Sequence, residues 1–225
     1  MIYRIEKNTK VYYQMLIHDT IKTIINQFQR KPGNFFNEHD FHHYCHHVFY
    51  RKKDFSRQYS TIGGERTNIL HPEYPTLRRF RREGPIVGKG VRARYDMAIL
   101  NPEFIESSSF DKVRCRDIRL FDLPREYKSK NLIAALEFKF IIRHAAQFEH
   151  EIKYDYFKLS KAEEVELKYM LVFANTIEGE KKEGENYFES LRGDTGIKII
   201  YVAVFGDGDK KKKRIKQYPD NWLNI

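Results

Sequence analysis

The apolar run Leu132–Ile141 is the sequence feature that most constrains the fold of this chain. Its residues, LIAALEFKFI, are mostly Ile, Leu, Phe and Ala, which is typical of a strand buried on both faces of a sheet. Glu137 and Lys139 lie two residues apart within it, so the alternation of strand side chains places them on one face. Because an unpaired buried ion costs several kcal/mol, such charges pair with each other or bind a metal. We therefore interpret Glu137 and Lys139 as candidate site residues.

A second strand-like run, Val91–Leu100, encloses the acid Asp96 between apolar flanks. The two runs together offer two carboxylates and a lysine in successive core strands. Carboxylate oxygens bind hard cations such as Mg²⁺, and a lysine can orient or deprotonate water and offset charge that develops on a phosphate. This combination indicates a hydrolytic magnesium site.

The pattern resembles that of the PD-(D/E)XK nuclease superfamily. Asp96 matches the family aspartate, Glu137-Phe138-Lys139 matches the E-x-K tripeptide, and Tyr95 stands where the name-giving pattern has proline. The resemblance implies a three-layer α/β/α fold with a central mixed β-sheet and a restriction-endonuclease-like core. It also implies hydrolysis of DNA phosphodiester bonds with Mg²⁺, for which Mn²⁺ can substitute. Asp96, Glu137 and the backbone carbonyl of Phe138 would bind the ion, and Lys139 would position the attacking water.

Two further acids are candidates for the same site. In many members of the superfamily, a glutamate on the helix before the core strands reaches the metal, and Glu38 occupies that place here. Glu73 matches a second acid that related nucleases often carry on the first strand of the sheet. The residue chemistry leaves an alternative open for each. Glu38 would complement the dipole of a helix that begins after Asn37, and Glu73 would be an exposed glutamate of an edge strand.

Periodicity and breakers predict the remaining elements. The apolar spacing predicts helices over Val11–Gln29, from Asn37 onward, over Ala145–Ala162 and over Tyr187–Arg192, strands over Asn68–Pro75, Lys168–Ala174 and Gly196–Phe205, and an irregular basic loop over Arg51–Gly64. The prolines of the first strand predict an edge position. The order strand, helix, strand, helix, strand from Leu132 onward predicts right-handed crossovers and parallel strands in that part of the sheet. The strands near Asp96 are expected to pair antiparallel. The 41 positions from Asp96 to Glu137 predict an inserted strand or loop.

Length and composition set the class of protein. The 225 residues suit a single nuclease-like domain over 1–225, with N-terminal helices over 1–50, an α/β core over 65–206 and a basic tail over 207–225. No signal-peptide pattern and no long apolar run are evident, so we expect a cytoplasmic protein without a membrane partner. Cys45 and Cys115 fit neither a disulfide framework nor a metal knuckle, which indicates a reducing compartment.

The charge pattern predicts a nucleic-acid partner. A net charge of +10 and a pI near 9.4 favour binding to polyanions. The predicted phosphate contacts are Arg78, Arg79, Arg81, Arg82, Arg92, Arg94 and Lys158. The loop from Arg78 to Gly90 is suited to wrapping a duplex and is equally compatible with a disordered connection. Asp155 and Lys158 resemble a polar site pattern of related nucleases, but a surface ion pair is the simpler interpretation.

A histidine-rich helix leaves an alternative function open. His39, His42, His43, His46 and His47 surround Cys45, and the spacing of His39, His43 and His46 places these three on one face. They suit zinc, although no paired Cys/His group elsewhere completes a tetrahedron. The leading hypothesis is a DNA-cleaving nuclease, for which a homodimer is one option, since many related enzymes pair two sites. The alternatives are a non-catalytic nucleic-acid-binding module of the same fold and a zinc-binding interaction or regulatory protein.

Overall fold

The computed structural model describes residues 9–80, 91–114, 130–141, 145–176, 196–205, 212–220 and 222–223. Its elements, in chain order, are α1 (Thr9–Arg30), a 3₁₀ turn (Pro32–Asn34), α2 (Glu38–Tyr50), α3 (Lys53–Ser56), β1 (Gln58–Ser60), β2 (Arg66–Asn68), β3 (Leu70–Phe80), β4 (Val91–Leu100), α4 (Pro102–Glu106), α5 (Phe110–Val113), β5 (Leu132–Ile141), α6 (Ala145–Ser160), β6 (Val165–Thr176), β7 (Ile197–Phe205) and β8 (Lys212–Tyr218).

A mixed sheet of six strands, ordered β3-β4-β5-β6-β7-β8, forms the centre of the fold. β5, β6 and β7 run parallel to one another, whereas β3, β4 and β5 form successive antiparallel pairs. The α/β class, the mixed sheet and the placement of its parallel part are therefore confirmed. The parallel part follows from the chain, because α6 connects β5 to β6 and a helical crossover returns the next strand in the same direction.

The two edges of the sheet differ in how well the sequence predicts them. β3 is an edge strand, as the prolines Pro72 and Pro75 require, since proline cannot donate to a ladder. The other edge is β8, which pairs antiparallel with β7 inside the segment predicted as a basic tail. The prediction of a separate tail is therefore wrong for these residues. β7 is apolar and almost entirely buried, because β8 covers its outer side. The lysines of β8 protect this edge of the sheet from pairing with a further strand.

Helices contact both faces of the sheet. Phe41 of α2 lies with ring centroids 4.5 Å from Phe173 and 5.6 Å from Phe140, on the face toward α1 and α2. Asp155 and Lys158 of α6 contact the alternate side chains of β5, on the opposite face. The buried apolar residues of these layers form one cluster. Glu137 and Lys139 of β5 therefore lie beneath α6, next to the buried aromatic core.

Local sequence signals explain where α2 lies. Asn37 has an extended backbone and its side chain accepts a hydrogen bond of 2.9 Å from the amide of Asp40, so α2 begins where predicted. Phe41, Cys45 and Phe49 recur at intervals of four and are fully buried. This apolar stripe faces the sheet and fixes the rotation of the helix, which decides which of its polar residues reach the site.

Other local predictions have mixed outcomes. The segment Arg51–Gly64 is not an irregular loop, because it contains α3 and the first strand of a small β1–β2 hairpin. The insertion after β4 begins with α4 and α5. The predicted helix at Tyr187–Arg192, most of the loop from Arg78 to Gly90, and Cys115 lie outside the described residues. Within the described part of the chain, none of the helices has the length and apolar character needed to cross a lipid bilayer.

Candidate metal centre

The site lies where β4 and β5 stop pairing. Their ladder ends at Met97 and Leu136, and a continuation of the same register would place Asp96 opposite Glu137. Instead, Oδ2 of Asp96 accepts a hydrogen bond of 2.7 Å from the backbone amide of Phe138. The Asp96 carboxylate therefore accepts the hydrogen bond that a backbone carbonyl of β4 would accept in a continued ladder. The two strands separate at Asp96 and Glu137.

Lys158 of α6 contacts backbone and side-chain oxygen atoms where the two strands separate. Its Nζ donates a hydrogen bond of 2.7 Å to the carbonyl of Arg94 and one of 2.8 Å to Asp155, and lies 2.8 Å from Oε1 of Glu137. Lys158 is only 3% exposed and Asp155 only 6%. The predicted ion pair of Asp155 and Lys158 is therefore present but is buried and not on the surface. The phosphate contact predicted for Lys158 is wrong, because its ammonium group is buried and held by three oxygen atoms.

Glu137 is completely buried, and burial raises its pKa well above the usual value although the Lys158 charge opposes this. Oε1 contacts Lys158, whereas Oε2 has no hydrogen-bond partner among the described residues. Burial also raises the pKa of Asp96. A carboxylate oxygen without a partner in a dry environment is unfavourable, so an additional cation at this point would stabilise the ionised form.

Lys139 lies on the same face as Glu137, as the strand alternation predicts. Its Nζ is 3.0 Å from Oε1 of Glu38 and 3.1 Å from Oδ2 of Asp155. Burial lowers its pKa, but the charges of Asp155 and Glu38 outweigh this effect and raise the pKa above the usual value for lysine. The side chain is therefore held as a cation. Of the two roles open to it, orienting water fits this state and removing a proton does not.

Glu38 reaches the site from the first turn of α2, as the resemblance implies. Burial raises its pKa, but the hydrogen bond from His42 and the Lys139 charge outweigh it, and the net shift is downward. Glu38 is therefore an ionised partner of Lys139 as well as a residue at the helix N-terminus, so the two interpretations of it are compatible.

His42 is a site residue that the sequence reasoning did not select. Its Nε2 lies 3.1 Å from the carbonyl oxygen of Phe138, 3.5 Å from Glu38 and 3.7 Å from Asp96. Burial lowers the pKa of His42, but the Glu38 hydrogen bond and the Asp96 charge raise it above the usual value. The sequence signal that could have identified His42 as a site residue is its position one turn after Glu38, on the same face of α2.

Glu73 completes a group of potential ligands. In the β3–β4 ladder, Pro72 pairs with Met97 and Tyr74 pairs with Tyr95, so Glu73 lies opposite Asp96. The backbone of Glu73 has a φ of 51°, which is in the left-handed region. The potential ligand atoms of His42, Glu73 and Asp96 all lie within 4.8 Å of one another. Within the described residues, this is the group that could hold a metal, and the alternative of a zinc site on His39, His43 and His46 gains no support.

The predicted arginine contacts lie around the β3–β4 hairpin. Arg94 is exposed, 3.9 Å from Glu73, at the entrance of the site. Arg79 and Arg92 occupy paired positions of the two strands, and Arg78 precedes Arg79 on β3. The side chains of Arg78, Arg79 and Arg92, and the whole of Arg81 and Arg82, lie outside the described residues.

The charges at the centre leave room for a divalent cation. Glu38, Asp96, Glu137 and Asp155 contribute four carboxylates, against the two ammonium groups of Lys139 and Lys158. With all six groups ionised and His42 neutral, two negative charges remain. Asp96, Glu137 and the Phe138 carbonyl are oxygen donors, which is the donor set that suits Mg²⁺ or Mn²⁺. The residues present therefore fit such an ion.

Comparisons of the chain with protein-family models, with curated proteins and with solved structures found no match. The family resemblance therefore stays a hypothesis, and the function is inferred from the residues of the site.

Proposed function

We propose that this protein is a divalent-metal-dependent nuclease that hydrolyses DNA phosphodiester bonds through a D…E-x-K site on a restriction-endonuclease-like core. The observation that carries the proposal is the fully buried Glu137, whose Oε2 has no hydrogen-bond partner among the described residues. Asp96 and Glu137 both lie just beyond the last β4–β5 pair, and together the acids of the site outnumber its lysines. A bound divalent cation would remove both the unpaired oxygen and the excess negative charge.

Each residue has a distinct role in this proposal. Asp96, Glu137 and the carbonyl of Phe138 hold Mg²⁺, or Mn²⁺ in its place. When bound, the ion supplies Lewis-acid polarisation of the phosphate and activation of water. Asp96 is kept in position by the Phe138 amide. Lys139 stays an ammonium group, so it orients the attacking water and offsets negative charge that develops on the phosphate, without taking the proton.

The DNA substrate is supported by charge. The net charge of +10 gives long-range attraction to the phosphate backbone, and the exposed Arg94 lies at the entrance of the site. Binding should therefore weaken steeply as salt is added. A DNA partner, the option of a homodimer that cuts both strands, and a cytoplasmic location remain predictions.

Cleavage assays with isosteric variants test the proposal. Supercoiled plasmid and a short single strand are incubated with Mg²⁺, Mn²⁺ or EDTA and with wild type, Asp96→Asn, Glu137→Gln or Lys139→Met. We expect metal-dependent cutting by the wild type and a loss of about a hundredfold or more in each variant. Asp19→Asn, which removes an exposed carboxylate of α1, is the matched control and should cut normally. Equal cutting by all five proteins would contradict the proposed site.

A non-catalytic nucleic-acid-binding module is the second candidate. The observation that favours it is the engagement of Lys139 by both Glu38 and Asp155, because such a lysine also serves as a purely structural ion pair. The assays distinguish the two functions. DNA binding of equal strength in wild type and variants, measured by fluorescence anisotropy, with no cutting in either metal, would favour the binding module.

A further inference from the structure

We propose that His42 is a metal ligand and that, with Glu73 and Asp96, it makes this centre bind Mn²⁺ in preference to Mg²⁺. The inference rests on the proposed function only in that it requires a divalent cation at the site. It concerns the relative affinity of the centre for Mn²⁺ and Mg²⁺ and the side chain that determines it. Both are independent of the nucleic acid that the protein binds.

Nε2 of His42 lies among oxygen atoms at distances close to those between ligands of one ion, and in the absence of an ion it is within hydrogen-bond distance of the Phe138 carbonyl. Ligands about 2.1–2.2 Å from an octahedral ion are separated by about 3 Å when adjacent and by just over 4 Å when opposite. Nε2 lies 3.1 Å from the Phe138 carbonyl oxygen and 3.7 Å from Oδ2 of Asp96. The three ligand atoms of His42, Glu73 and Asp96 are mutually within 4.8 Å. Side-chain movements would be needed to bring these atoms onto one ion.

Two further observations support a cation near these side chains. The first is the unpartnered Oε2 of the fully buried Glu137, which on β5 follows the last β4–β5 pair, Met97 with Leu136, just as Asp96 precedes that pair on β4. The second is exposure to solvent, since the side chains of Glu73 and Glu38 are 56% and 35% exposed while that of His42 is only 21% exposed. The two glutamates are therefore more open to an incoming ion than the imidazole.

The mixed donor set explains the preference for Mn²⁺. Mg²⁺ is a hard ion that takes oxygen ligands in near-ideal octahedral geometry, so an imidazole in its coordination sphere is a poor ligand. Mn²⁺ accepts carboxylate and carbonyl oxygen as Mg²⁺ does. As a transition-metal ion it also binds imidazole nitrogen more strongly than Mg²⁺ does. Glu73 joins Asp96, Glu137 and the Phe138 carbonyl in supplying oxygen, and His42 supplies the nitrogen. Coordination through Nε2 leaves the single ring proton of neutral His42 on Nδ1.

Direct binding measurements test this inference without using cleavage. Isothermal titration calorimetry gives the affinities of Mn²⁺ and Mg²⁺ for wild type, His42→Asn, Asp96→Asn and the control His43→Asn, whose imidazole is exposed on the same helix. We expect wild type and His43→Asn to bind Mn²⁺ at least about tenfold more tightly than Mg²⁺. His42→Asn should lose about tenfold in Mn²⁺ affinity and change Mg²⁺ affinity by less than about threefold.

A spectroscopic measurement on the wild type makes the test independent of any variant. Electron spin-echo envelope modulation of the protein loaded with one Mn²⁺ detects ¹⁴N coupling from a coordinated imidazole, and we expect that modulation to be present. Its absence, or an unchanged preference for Mn²⁺ in His42→Asn, would overturn the role of His42. If Mg²⁺ binding is still lost in Asp96→Asn, the metal site of the proposed function survives that failure. Wild type that binds neither ion would overturn both.

Discussion

Replacement of Lys158 by methionine should destabilise the fold strongly, and the size of the loss follows from its surroundings. Lys158 and Glu137 are 3% and 0% exposed, and the lysine contacts Glu137, Asp155 and the Arg94 carbonyl at 2.7–2.8 Å. Removal of one partner from a buried ion pair costs about 3–5 kcal/mol, because the other charge is left uncompensated. We therefore expect the free energy of unfolding of Lys158→Met to fall by that amount at neutral pH, measured by urea titration.

The pH dependence of this loss identifies its cause. Burial already raises the pKa of Glu137, and removal of Lys158 takes away the charge that opposes this shift. A carboxyl group whose folded pKa is raised binds more protons in the folded state, so the loss exists above the ordinary pKa and shrinks as pH falls toward it. Lowering the pH from 7 to 5 should recover up to about 1.4 kcal/mol per pH unit.

A double-mutant cycle and a neighbouring lysine complete the experiment. Lys158→Met combined with Glu137→Gln should be less damaging than the two separate losses together, with a coupling energy of about 1–3 kcal/mol. Lys161→Met is the control, because Lys161 directly follows the last residue of α6 and is exposed. It should change stability by less than about 0.5–1 kcal/mol. A loss below about 1 kcal/mol in Lys158→Met, with no coupling to Glu137, would refute the idea of a buried ion network.

Three further predictions concern the scaffold of the site, each measured by chemical denaturation. Asn37→Ala should cost about 1 kcal/mol through loss of the α2 cap, whereas Asn37→Asp should keep most of the stability; equal losses would contradict the capping role. Phe173→Ala should cost about 3–5 kcal/mol, since its fully buried ring packs 4.5 Å from Phe41 and 5.1 Å from Phe28 between centroids. Burial, together with the charges of Lys198 and Lys22, lowers the pKa of His18 from 6.5 to about 4. The free energy of unfolding should therefore fall as the pH drops through that interval, by at most about 2 kcal/mol after allowance for the partial exposure of His18. His18→Gln should make stability less dependent on pH in the same interval.

The strands and helices that carry the site follow from local sequence signals. The runs Val91–Leu100 and Leu132–Ile141 coincide with β4 and β5, because strand boundaries fall where the apolar pattern stops. The N-cap signal at Asn37 likewise fixes the start of α2. Two-residue alternation then suffices to predict that Glu137 and Lys139 share a face, since this relation involves a single strand.

Relations between distant elements could not be predicted in the same way. Lys158 has the sequence environment of a surface lysine on an amphipathic helix, and only the position of α6 over the separated strands buries it. The sequence does not predict His42 as a site residue, because helical spacing groups His39 with His43 and His46. In the structure, burial of Phe41 and Cys45 turns His42 toward Asp96. Likewise, nothing local distinguishes residues 212–218 from a basic tail, because β8 depends on pairing with β7.

The break between β4 and β5 both creates the site and determines how it can be studied. Separating two central strands frees a backbone amide and a backbone carbonyl, and each would be costly if left unpaired in the core. Asp96 accepts from the freed amide of Phe138, and Lys158 donates to the freed carbonyl of Arg94. Asp96 is therefore part of the sheet as well as a candidate ligand, so Asp96→Ala would mix a structural loss with a functional one. Asp96→Asn keeps an oxygen acceptor for the amide and removes the charge, and a defect in that variant therefore reports on metal binding.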